Sequence, residues 1–540
     1  MPLVTDGRPP APSHAPGNDP VGAALRTGDL REAERLLRAR LLQSPPDIAA
    51  LAALGDLLAG SDRAGEAIPL LHRALALAPG AHQLRLRLAG LHQQQAHFPA
   101  AFAILQQVPP ELRQGFDARV QEAALLGQLG RRDEEISIYR DLLQDQPRHA
   151  GLWLSLGNAL NYAGHTADAV DALRRATKLR PGFGEPWWSL ANLKSFRFTT
   201  RDVGEMRKAL GGQLEPRDAL HFHFALGRAL EQRADYPRSF EHYLAGNRIK
   251  AATLRPAQMR ATPLVDAAIE VFTPDLFGRN SGGGCHDRDP IFVIGLQRSG
   301  STLIEQILAS HPQIEATAEL VTMQHLWTEL GAIGSAHGRT AFAQIGETGP
   351  ELFKEIGERY LERTRSYRQT DRPLFVDKLP ANWMNVGLIR LALPNAKIID
   401  ARRHPLACGW SNFKQHYATG VTFAYSLPAI GEFYADYLRM MRHFDAVQPG
   451  AILHVLNERL IDDPEREVRR MLDYIGLPFD PACLEFHANK RAVQTPSAEQ
   501  VRRPINRDGV DQWRHYDAWL DPLKSALGPA LTEWDAEATA

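Results

Sequence analysis

The sequence is poor in cysteine and carries almost no net charge. Its 540 residues contain three cysteines, Cys285, Cys408 and Cys483, and no CxxC pair. We therefore expect neither a disulfide framework nor a structural zinc site, with Cys408 and Cys483 buried and inert. The 62 Lys and Arg against 63 Asp and Glu give a net charge of −1, which argues against a protein that mainly coats nucleic acid or an anionic membrane.

Long apolar runs are also missing. No stretch approaches the roughly 20 residues that cross a bilayer, and the run from Ile291 to Leu296 is far too short. Residues 1–20 are rich in Pro and Gly and lack the apolar segment of a signal peptide, so they are predicted to be a disordered tail. We expect a cytoplasmic protein with no membrane or nucleic-acid partner.

The first half of the sequence repeats with a period of 34 residues. Pro45 and Pro79 are separated by 34 residues, as are Pro147 and Pro181. Alanine, or glutamate in one repeat, recurs in phase with these prolines, and a large side chain follows four positions later. The pairs are Ala33/Leu37, Ala67/Leu71, Ala101/Leu105, Glu135/Tyr139 and Ala169/Leu173. A small residue facing a large one at a fixed offset is typical of two close-packed helices.

The unit from Gly151 to Pro181 is the clearest repeat, because Trp153, Leu156 and Gly157 form a W-x2-L-G pattern before a turn and a second helix. It resembles the tetratricopeptide repeat. We predict an all-α superhelix over residues 21–255, whose concave surface would hold an extended peptide. Bracing of the C-terminal domain and a generic helical bundle remain the alternatives.

Chemistry-bearing residues concentrate in the second half. The stretch 279–284 reads as part of a linker, predicted over 256–288, which precedes a domain at 289–540. That domain opens with an apolar strand at Ile291–Ile294, a glycine-bearing turn and a helix from Thr302 to Ser310. The N–H groups of such a helix point at an anion in the turn.

The turn is suited to a phosphate or sulfate group. Arg298 adds a cation, while Ser299, Ser301 and Thr302 add hydroxyl donors. It is not a Walker A loop, because no Lys follows Gly300, and it is not a G-x-S-x-G hydrolase turn. A tight turn without a ligand is the alternative.

Two later strands also end in cations. The predicted strand 374–378 ends at Lys378, and the predicted strand 396–405 ends at Arg402 and Arg403. Ser411 lies eight residues beyond Arg403 in a predicted helix, and 497–506 is a basic, loop-like run. Ligands of parallel sheets bind at the carboxyl ends of strands, so several cations there indicate a ligand with more than one anionic group.

These motifs resemble those of the sulfotransferases that use 3′-phosphoadenosine 5′-phosphosulfate. R-S-G-S-T after a strand and R-x7-S after a later strand are closest to protein-tyrosine sulfotransferases and to bacterial proteins that join tetratricopeptide repeats to such a domain. The resemblance implies a multidomain protein, an all-α tetratricopeptide superhelix followed by an α/β P-loop-like sulfotransferase domain with a central parallel sheet.

The resemblance also implies which residues bind the nucleotide. It assigns the 5′-phosphosulfate to Arg298, Ser299, Gly300, Ser301 and Thr302. The 3′-phosphate falls to Arg403 and Ser411, and a segment closing over the nucleotide contributes Ser497, Gln500, Val501, Arg502 and Asn506.

The implied catalytic residues are Glu319, eight residues past His311, together with Lys378 and Arg298. Glu319 would take the proton of an acceptor hydroxyl, and the expected acceptor is a tyrosine of a protein or peptide held near the repeats. The phenol has a pKa near 10 and needs such a base. Because side-chain cations would stabilise the transferred charge, no metal is expected.

The sequence departs from the family pattern at three positions. Gln415 stands where the family has a further Arg, Gln512 where it has a further Lys, and Asn457 where a Tyr is common. The first two changes remove cations from the implied nucleotide site.

Several alternatives stay open at this level. A carbohydrate or small-molecule hydroxyl is another acceptor, and oligomeric state, including a homodimer, is undetermined. A P-loop kinase would use Asp400 for Mg²⁺, and a repeat scaffold with an inactive C-terminal domain would use none of these residues. Glu319 has a second interpretation as a solvated helix residue, and Lys378 as a surface strand end.

Overall fold

The computed structural model describes residues 20–42, 47–61, 63–336, 339–418, 420–489, 500–507 and 509–539. They belong to two compact units, Met1–Ala163 and Gly164–Ala540. The predicted tail lies outside the described residues except for Pro20, which begins the first helix, and Pro45 falls in an undescribed gap.

Unit 1 consists of helices throughout its described residues. They are α1 Pro20–Thr27, α2 Leu30–Leu41, α3 Ile48–Gly60, α4 Ala64–Leu77, α5 His82–Gln94, α6 Phe98–Gln106, α7 Pro110–Arg113, α8 Phe116–Gln128, α9 Arg132–Asp145 and α10 Ala150–Ala163.

The repeat positions of the sequence form the core of unit 1. Ala33, Ala67 and Ala101 are fully buried, as is Leu71 four positions after Ala67. A Cβ atom on Gly55 of α3 would lie 3.0 Å from Leu71 Cδ2 of α4, so the small residue allows the two helices to approach closely. The alternation of small and large residues therefore predicted the packed faces.

Unit 2 begins with five further helices from the repeat region. They are α11 Thr166–Leu179, α12 Gly184–Asn192, α13 Thr200–Leu210, α14 Pro216–Glu231 and α15 Tyr236–Ala251. In α13, Thr199 and Asp202 form a capping box that satisfies the first N–H groups of the helix.

The rest of unit 2 combines five strands with helices. The strands are β1 Pro290–Gly295, β2 Ile314–Ala316, β3 Leu374–Lys378, β4 Lys397–Arg402 and β5 Ile452–Leu456. The helices are α16 Thr262–Val271, α17 Pro274–Arg279, α18 Ser301–Ala309, α19 Thr322–Ala336, α20 Ala341–Glu347, α21 Pro350–Arg365, α22 Val386–Ala392, α23 Pro405–Phe413, α24 Leu427–Val447, α25 Asn457–Asp462, α26 Pro464–Ile475, α27 Asp521–Leu527 and α28 Pro529–Thr539.

The five strands form one parallel sheet in the order β2-β3-β1-β4-β5. Val293 of β1 pairs with Lys378 of β3, and Gly295 pairs with Ala401 of β4. The carboxyl ends of β3, β1 and β4 therefore lie side by side. The predicted fold class, helical repeats followed by an α/β domain with a central parallel sheet, is confirmed.

The two faces of the sheet are covered by different helices. Ile291 and Val293 of β1 belong to the cluster that also contains α18 and α26 residues. Phe292, on the opposite face, packs against Tyr360 of α21 with ring centroids 5.3 Å apart. Every residue of β1 is buried, as expected of a central strand in a parallel sheet.

The segment predicted as a linker, 256–288, contains α16 and α17. Val265 and Ala268 of α16 are fully buried. Arg439 of α24 pairs with Asp266 of α16 at 2.7 Å, and His443 of α24 bonds the Phe272 carbonyl at 2.7 Å. The glycine-rich composition at 279–284 did not reveal this amphipathic helix upstream of it.

The last repeat helices pack onto the α/β part of unit 2. Asn247 of α15 donates a hydrogen bond to the Phe413 carbonyl at 2.8 Å. Ser239 of the same helix bonds the Tyr516 hydroxyl at 2.9 Å, and the Tyr516 ring lies 3.9 Å from that of Trp410 in α23. Helix α15 is thus part of the surroundings of α23.

Other expectations can be compared with the described residues. The three cysteines are buried and form no disulfide, and burial raises the pKa of both Cys408 and Cys483 to about 12. Across the described part of the chain, no helix combines the length and apolar character needed to span a bilayer.

Candidate functional site

The loop between β1 and α18 depends on two glycines. Gly295 has φ 133°, and a Cβ there would lie 2.4 Å from the Ala401 carbonyl oxygen of β4. Gly300, directly before α18, has φ 101°, and a Cβ there would lie 2.5 Å from Asn457 Oδ1. Only glycine fits both conditions, so these positions bring the N-terminus of α18 close to the sheet.

Arg298 connects this loop to α23. Its Nε donates to Ser411 Oγ at 3.1 Å, and its carbonyl oxygen accepts a bond from Arg403 Nη1 at 3.1 Å. Arg298 itself has φ 69°, a left-handed conformation that is costly for a non-glycine residue. Asn412 of α23 secures the loop further by donating to the Gln297 carbonyl at 2.8 Å. The structure therefore brings Arg298, Arg403 and Ser411 together.

Two buried polar atoms of this group lack hydrogen-bond partners among the described residues. They are Ser299 Oγ, on a side chain only 2% exposed, and Arg403 Nε. Ser301 and Thr302 are buried in the first turn of α18. Buried donors without partners are costly unless a ligand satisfies them. The residues present therefore fit an anionic group such as phosphosulfate.

Arg403 is held at the carboxyl end of β4. Its Nη2 donates to the Gly509 carbonyl, and its own carbonyl accepts from the Tyr434 hydroxyl at 2.7 Å. Burial lowers the pKa of its guanidinium, and the Arg298 charge lowers it further. Two close, half-buried arginines favour occupation by an anion, which would relieve their mutual repulsion.

Lys378 lies at the end of β3 between two carboxylates. Its side chain is 2% exposed, its Nζ is ion-paired with Glu319, and Glu305 Oε2 of α18 lies 3.8 Å away. Glu319 itself lies in the segment between β2 and α19 with its side chain 47% exposed. Lys378 is thus a buried residue rather than a surface strand end, and Glu319 is outside any helix.

The Lys378–Glu319 pair and the Arg298 group share a neighbour. Tyr417 donates to Asn412 Oδ1 at 2.6 Å. Burial raises the pKa of the Tyr417 phenol. The Arg298 charge lowers this pKa and the Glu319 charge raises it, so both charges act on Tyr417. The ends of β3, β1 and β4 are also adjacent. One region therefore contains five of the predicted site residues: Arg298, Glu319, Lys378, Arg403 and Ser411.

Asp400 has a different role from the one a kinase would need. It is fully buried in β4, where Tyr437 donates to Oδ1 at 2.5 Å, and Arg402 and His454 bond Oδ2 at 2.8 and 2.9 Å. Burial raises the pKa of Asp400, but the Arg402 charge and these bonds outweigh that effect and lower it. Both oxygens are engaged in a structural network with Tyr437, Arg402 and His454.

The predicted closing segment is described in part. Ser497 lies outside the described residues, and Gln500 begins a short 3-10 turn that ends at Arg502. Val501 is buried in the sheet-side core, whereas Asn506 is exposed and donates to the Pro504 carbonyl at 3.3 Å. The Arg502 guanidinium lies against Gly164, where a Cβ would be 2.2 Å from Nη1.

The sequence did not indicate that Glu305 and Asn412 would contribute to the site. It also did not indicate that Asn457 would lie next to Gly300. Glu305 follows Ser301 by four positions, so helical periodicity could have placed both on one face of α18. No sequence signal indicated that Asn412 would bond the loop.

Comparison with known proteins agrees with this arrangement. A family model described as "Sulfotransferase family" matches residues 290–481, and a tetratricopeptide-repeat model matches 58–129. The chain carries a sulfotransferase-family domain. That domain contains the β1 loop, Lys378, Arg403 and Ser411.

Relatives of the sulfotransferase domain are distant. An uncharacterized protein of Aquifex aeolicus (strain VF5) is 29% identical over 454 residues, 82% of this chain and 59% of that protein. Protein-tyrosine sulfotransferase A of Caenorhabditis elegans is 24% identical over 237 residues, 41% of this chain and 60% of that protein. This chain thus matches about three fifths of the length of either relative.

A solved structure also resembles part of the chain. The sulfotransferase domain from the Synechococcus PCC 7002 olefin synthase aligns with 42% of this chain and 88% of that one, at 23% identity and a TM-score of 0.33.

Proposed function

We propose that the domain at 289–540 transfers the sulfuryl group of 3′-phosphoadenosine 5′-phosphosulfate to an acceptor hydroxyl. One observation carries the proposal: an anion-binding loop on β1 and an ion-paired Lys378–Glu319 couple lie at neighbouring strand ends of one parallel sheet. A doubly anionic donor and a proton acceptor are what such a transfer requires.

The nucleotide contacts follow from the loop and from α23. The first N–H groups of α18, the Ser299 hydroxyl and Arg298 would bind the phosphosulfate, because they are donors at a helix N-terminus. Arg403 and Ser411 would bind the 3′-phosphate, since both already contact Arg298. The buried donors Ser299 Oγ and Arg403 Nε would then gain partners.

The reaction is a single displacement at sulfur. The acceptor oxygen forms a bond to sulfur while the bond from sulfur to the bridging phosphate oxygen breaks, and its electron pair leaves with 3′-phosphoadenosine 5′-phosphate. The Glu319 carboxylate accepts the hydroxyl proton. Its half-exposed position lets it reach an entering acceptor while Lys378 holds it in place.

Lys378 and Arg298 would stabilise the negative charge that spreads over the sulfuryl oxygens and the leaving phosphate. Fixed cations in a buried site need no reorganisation as the charge moves. Removing one such group costs about 100-fold or more in kcat in well-studied acyl-transfer sites.

We further propose a tyrosine of a protein or peptide as the acceptor, held near the repeats. Two observations support this: the motif resemblance to protein-tyrosine sulfotransferases, and a relative that bears that name. Tetratricopeptide arrays also offer concave surfaces on which extended peptides bind. A phenol needs the base that Glu319 supplies.

The test is transfer of ³⁵S from the labelled donor by the full chain to a proteome extract, with mass spectrometry to identify the modified residue. We expect labelled tyrosine, label loss in Glu319→Gln, and retention in Glu362→Gln, an exposed position on α21. Label in carbohydrate would reject the tyrosine acceptor. Transfer of ³²P from γ-labelled ATP with no ³⁵S transfer would reject the sulfotransferase.

A further inference from the structure

Two carboxylates lie within ion-pair distance of Lys378, and the proposed transfer uses one of them. The carboxylate it uses belongs to Glu319, in the segment between β2 and α19, and the second belongs to Glu305 of α18. Glu305 Oε2 lies 3.8 Å from Lys378 Nζ, and Glu319 is in direct contact with the same nitrogen. Glu305 thus forms an ion pair that has no part in the transfer as proposed.

The two carboxylates differ in their access to solvent. The side chain of Glu305 is 3% exposed, whereas that of Glu319 is 47% exposed. An acceptor hydroxyl that enters from solvent can reach Glu319 but not Glu305. Of the two, Glu319 is therefore suited to accept the proton, and Glu305 is suited to compensate the charge of the buried Lys378 ammonium.

Glu305 belongs to the helix that begins the proposed phosphosulfate site. Ser301 starts α18 and Glu305 follows it by four residues, so the two side chains lie on one face of the helix, one turn apart. The strand that precedes this helix, β1, pairs with β3 so that Val293 is opposite Lys378. Glu305 therefore connects the Lys378 ammonium to the element that would hold the sulfuryl donor.

The segment that carries Glu319 has its own attachment to β3. Thr317 donates two hydrogen bonds to the Val376 carbonyl, one from its N–H at 3.2 Å and one from its hydroxyl at 2.8 Å. Glu319 lies two residues further along this segment. Its place beside the end of β3 therefore does not depend on the ion pair with Lys378 alone.

Proton transfer changes the charge balance around Lys378. When the proton of the acceptor hydroxyl moves to an oxygen of Glu319, that carboxylate becomes neutral and its attraction for the ammonium weakens. A buried ammonium is costly unless an anion compensates it. Glu305 takes no proton in the proposed reaction, so its carboxylate still compensates Lys378 at this stage.

We propose that Glu305 is a positioning residue for Lys378, which it holds at the end of β3 while Glu319 is protonated. Lys378 can then stabilise the charge that develops on the sulfuryl oxygens and the leaving phosphate. This inference rests on the proposed function. The two carboxylates have separate roles: Glu319 exchanges the proton, and Glu305 supplies a constant compensating charge.

The test separates the turnover number from substrate binding in the full chain. Glu305→Gln keeps the shape of the side chain, removes its charge and leaves Lys378 its contact with Glu319. The acceptor labelled in the proteome extract, in purified or synthetic form, is the substrate, and ³⁵S transfer keeps slow variants measurable. We expect kcat to fall about 10-fold or more, while the KM of the acceptor and the affinity for 3′-phosphoadenosine 5′-phosphate stay within about twofold.

Two controls accompany this measurement. The calorimetric stoichiometry of 3′-phosphoadenosine 5′-phosphate gives the folded fraction of each variant, and kcat is normalised to it. Glu358→Gln is the matched variant, because Glu358 Oε1 also lies 3.8 Å from a lysine, Lys354, but both side chains are exposed on α21. Its kcat should equal that of the unmodified protein.

A double-mutant cycle tests whether Glu305 acts through Lys378. In the Lys378→Gln background no ammonium is left to position, so adding Glu305→Gln should change kcat by less than about twofold. Equal losses in the presence and absence of Lys378 would overturn the proposal, as would an unchanged kcat in Glu305→Gln. A loss of nucleotide affinity without a loss of kcat would also overturn it, since Glu305 would then act on the binding loop.

Failure of this inference is distinguishable from failure of the proposed function. If the unmodified protein neither binds 3′-phosphoadenosine 5′-phosphate nor transfers sulfur, the proposed function is wrong. If it does both and Glu305→Gln has a normal kcat, only the role of Glu305 is wrong. Full activity of Glu319→Gln with an inactive Glu305→Gln would make Glu305 the base and overturn its positioning role.

Discussion

Lys378 Nζ is ion-paired with Glu319 and lies 3.8 Å from Glu305 Oε2, although its side chain is only 2% exposed. The ion pair fixes the position of the Glu319 carboxylate, which is half-exposed to solvent. This relationship ties the end of β3 to the segment after β2 and to α18. It separates the proposed proton acceptor from the residues that would bind nucleotide.

The first prediction concerns that separation. Glu319→Ala should reduce sulfuryl transfer by at least about 100-fold, because the acceptor hydroxyl loses its base. Affinity for 3′-phosphoadenosine 5′-phosphate should stay within about twofold, since Glu319 contacts Lys378 and not the loop. Calorimetry and a transfer assay measure the two quantities. Loss of nucleotide binding would assign Glu319 a different role.

The second prediction concerns the other half of the site. Arg403→Ala should weaken nucleotide binding by about 10- to 100-fold, the loss expected for a charge-assisted bond to phosphate. The nucleotide affinity of Arg403→Lys should lie between those of Arg403→Ala and the unmodified protein, because lysine keeps the charge without the planar donors. The control is Arg365→Ala on the exposed side of α21. Equal affinity in Arg403→Ala and the unmodified protein would remove Arg403 from the site.

The third prediction concerns the loop backbone. Gly300→Ala should destabilise unit 2 by about 1–3 kcal/mol, because alanine disfavours φ 101° and its Cβ would meet Asn457 Oδ1 at 2.5 Å. Gly204→Ala in α13 meets no atom within 4 Å and should stabilise the protein by about 0.5–1 kcal/mol. Urea unfolding measures both. Similar changes in the free energy of unfolding for Gly300→Ala and Gly204→Ala would contradict the conclusion that the loop requires glycine at position 300.

The fourth prediction concerns pH. His221 is 1% exposed, and its ring centroid lies 5.1 Å from that of His416. Burial, with smaller contributions from His416 and Arg217, lowers the pKa of His221 to about 3. Below pH 6.5 His221 takes up a proton in the unfolded chain but not in the folded chain. The free energy of unfolding therefore falls as pH drops from 6.5 toward 3.

His221→Phe removes this penalty. Relative to the unmodified protein, its free energy of unfolding should gain about 1.4 kcal/mol per pH unit below 6.5, or about 2 kcal/mol at pH 5. Urea denaturation at pH 7.5, 6 and 5 provides the comparison, with His286→Phe at an exposed position as the control for loss of a histidine. A difference that does not change with pH would show that His221 takes up a proton as readily in the folded chain as in the unfolded chain.

Local patterns predicted much of the α/β domain. The apolar run before Gly295 became β1, residues 374–378 became β3 with the predicted bounds, and Ser411 lies in α23 as expected. These features follow from periodicity, glycine placement and strand ends, which short sequence windows contain. The helix α16 was missed because a glycine-rich stretch nearby dominated the interpretation.

The sequence by itself determined the repeat period, the strand–loop–helix unit and the set of cations at strand ends, because each depends on residues near one another in the chain. The tertiary structure decided which of these cations are paired. Lys414 and Glu231 are 183 positions apart in the chain, and Lys378 and Glu319 are 59 apart. No local pattern encodes such contacts, since they arise only when packed helices and adjacent strands bring distant charges into a shared, poorly solvated region.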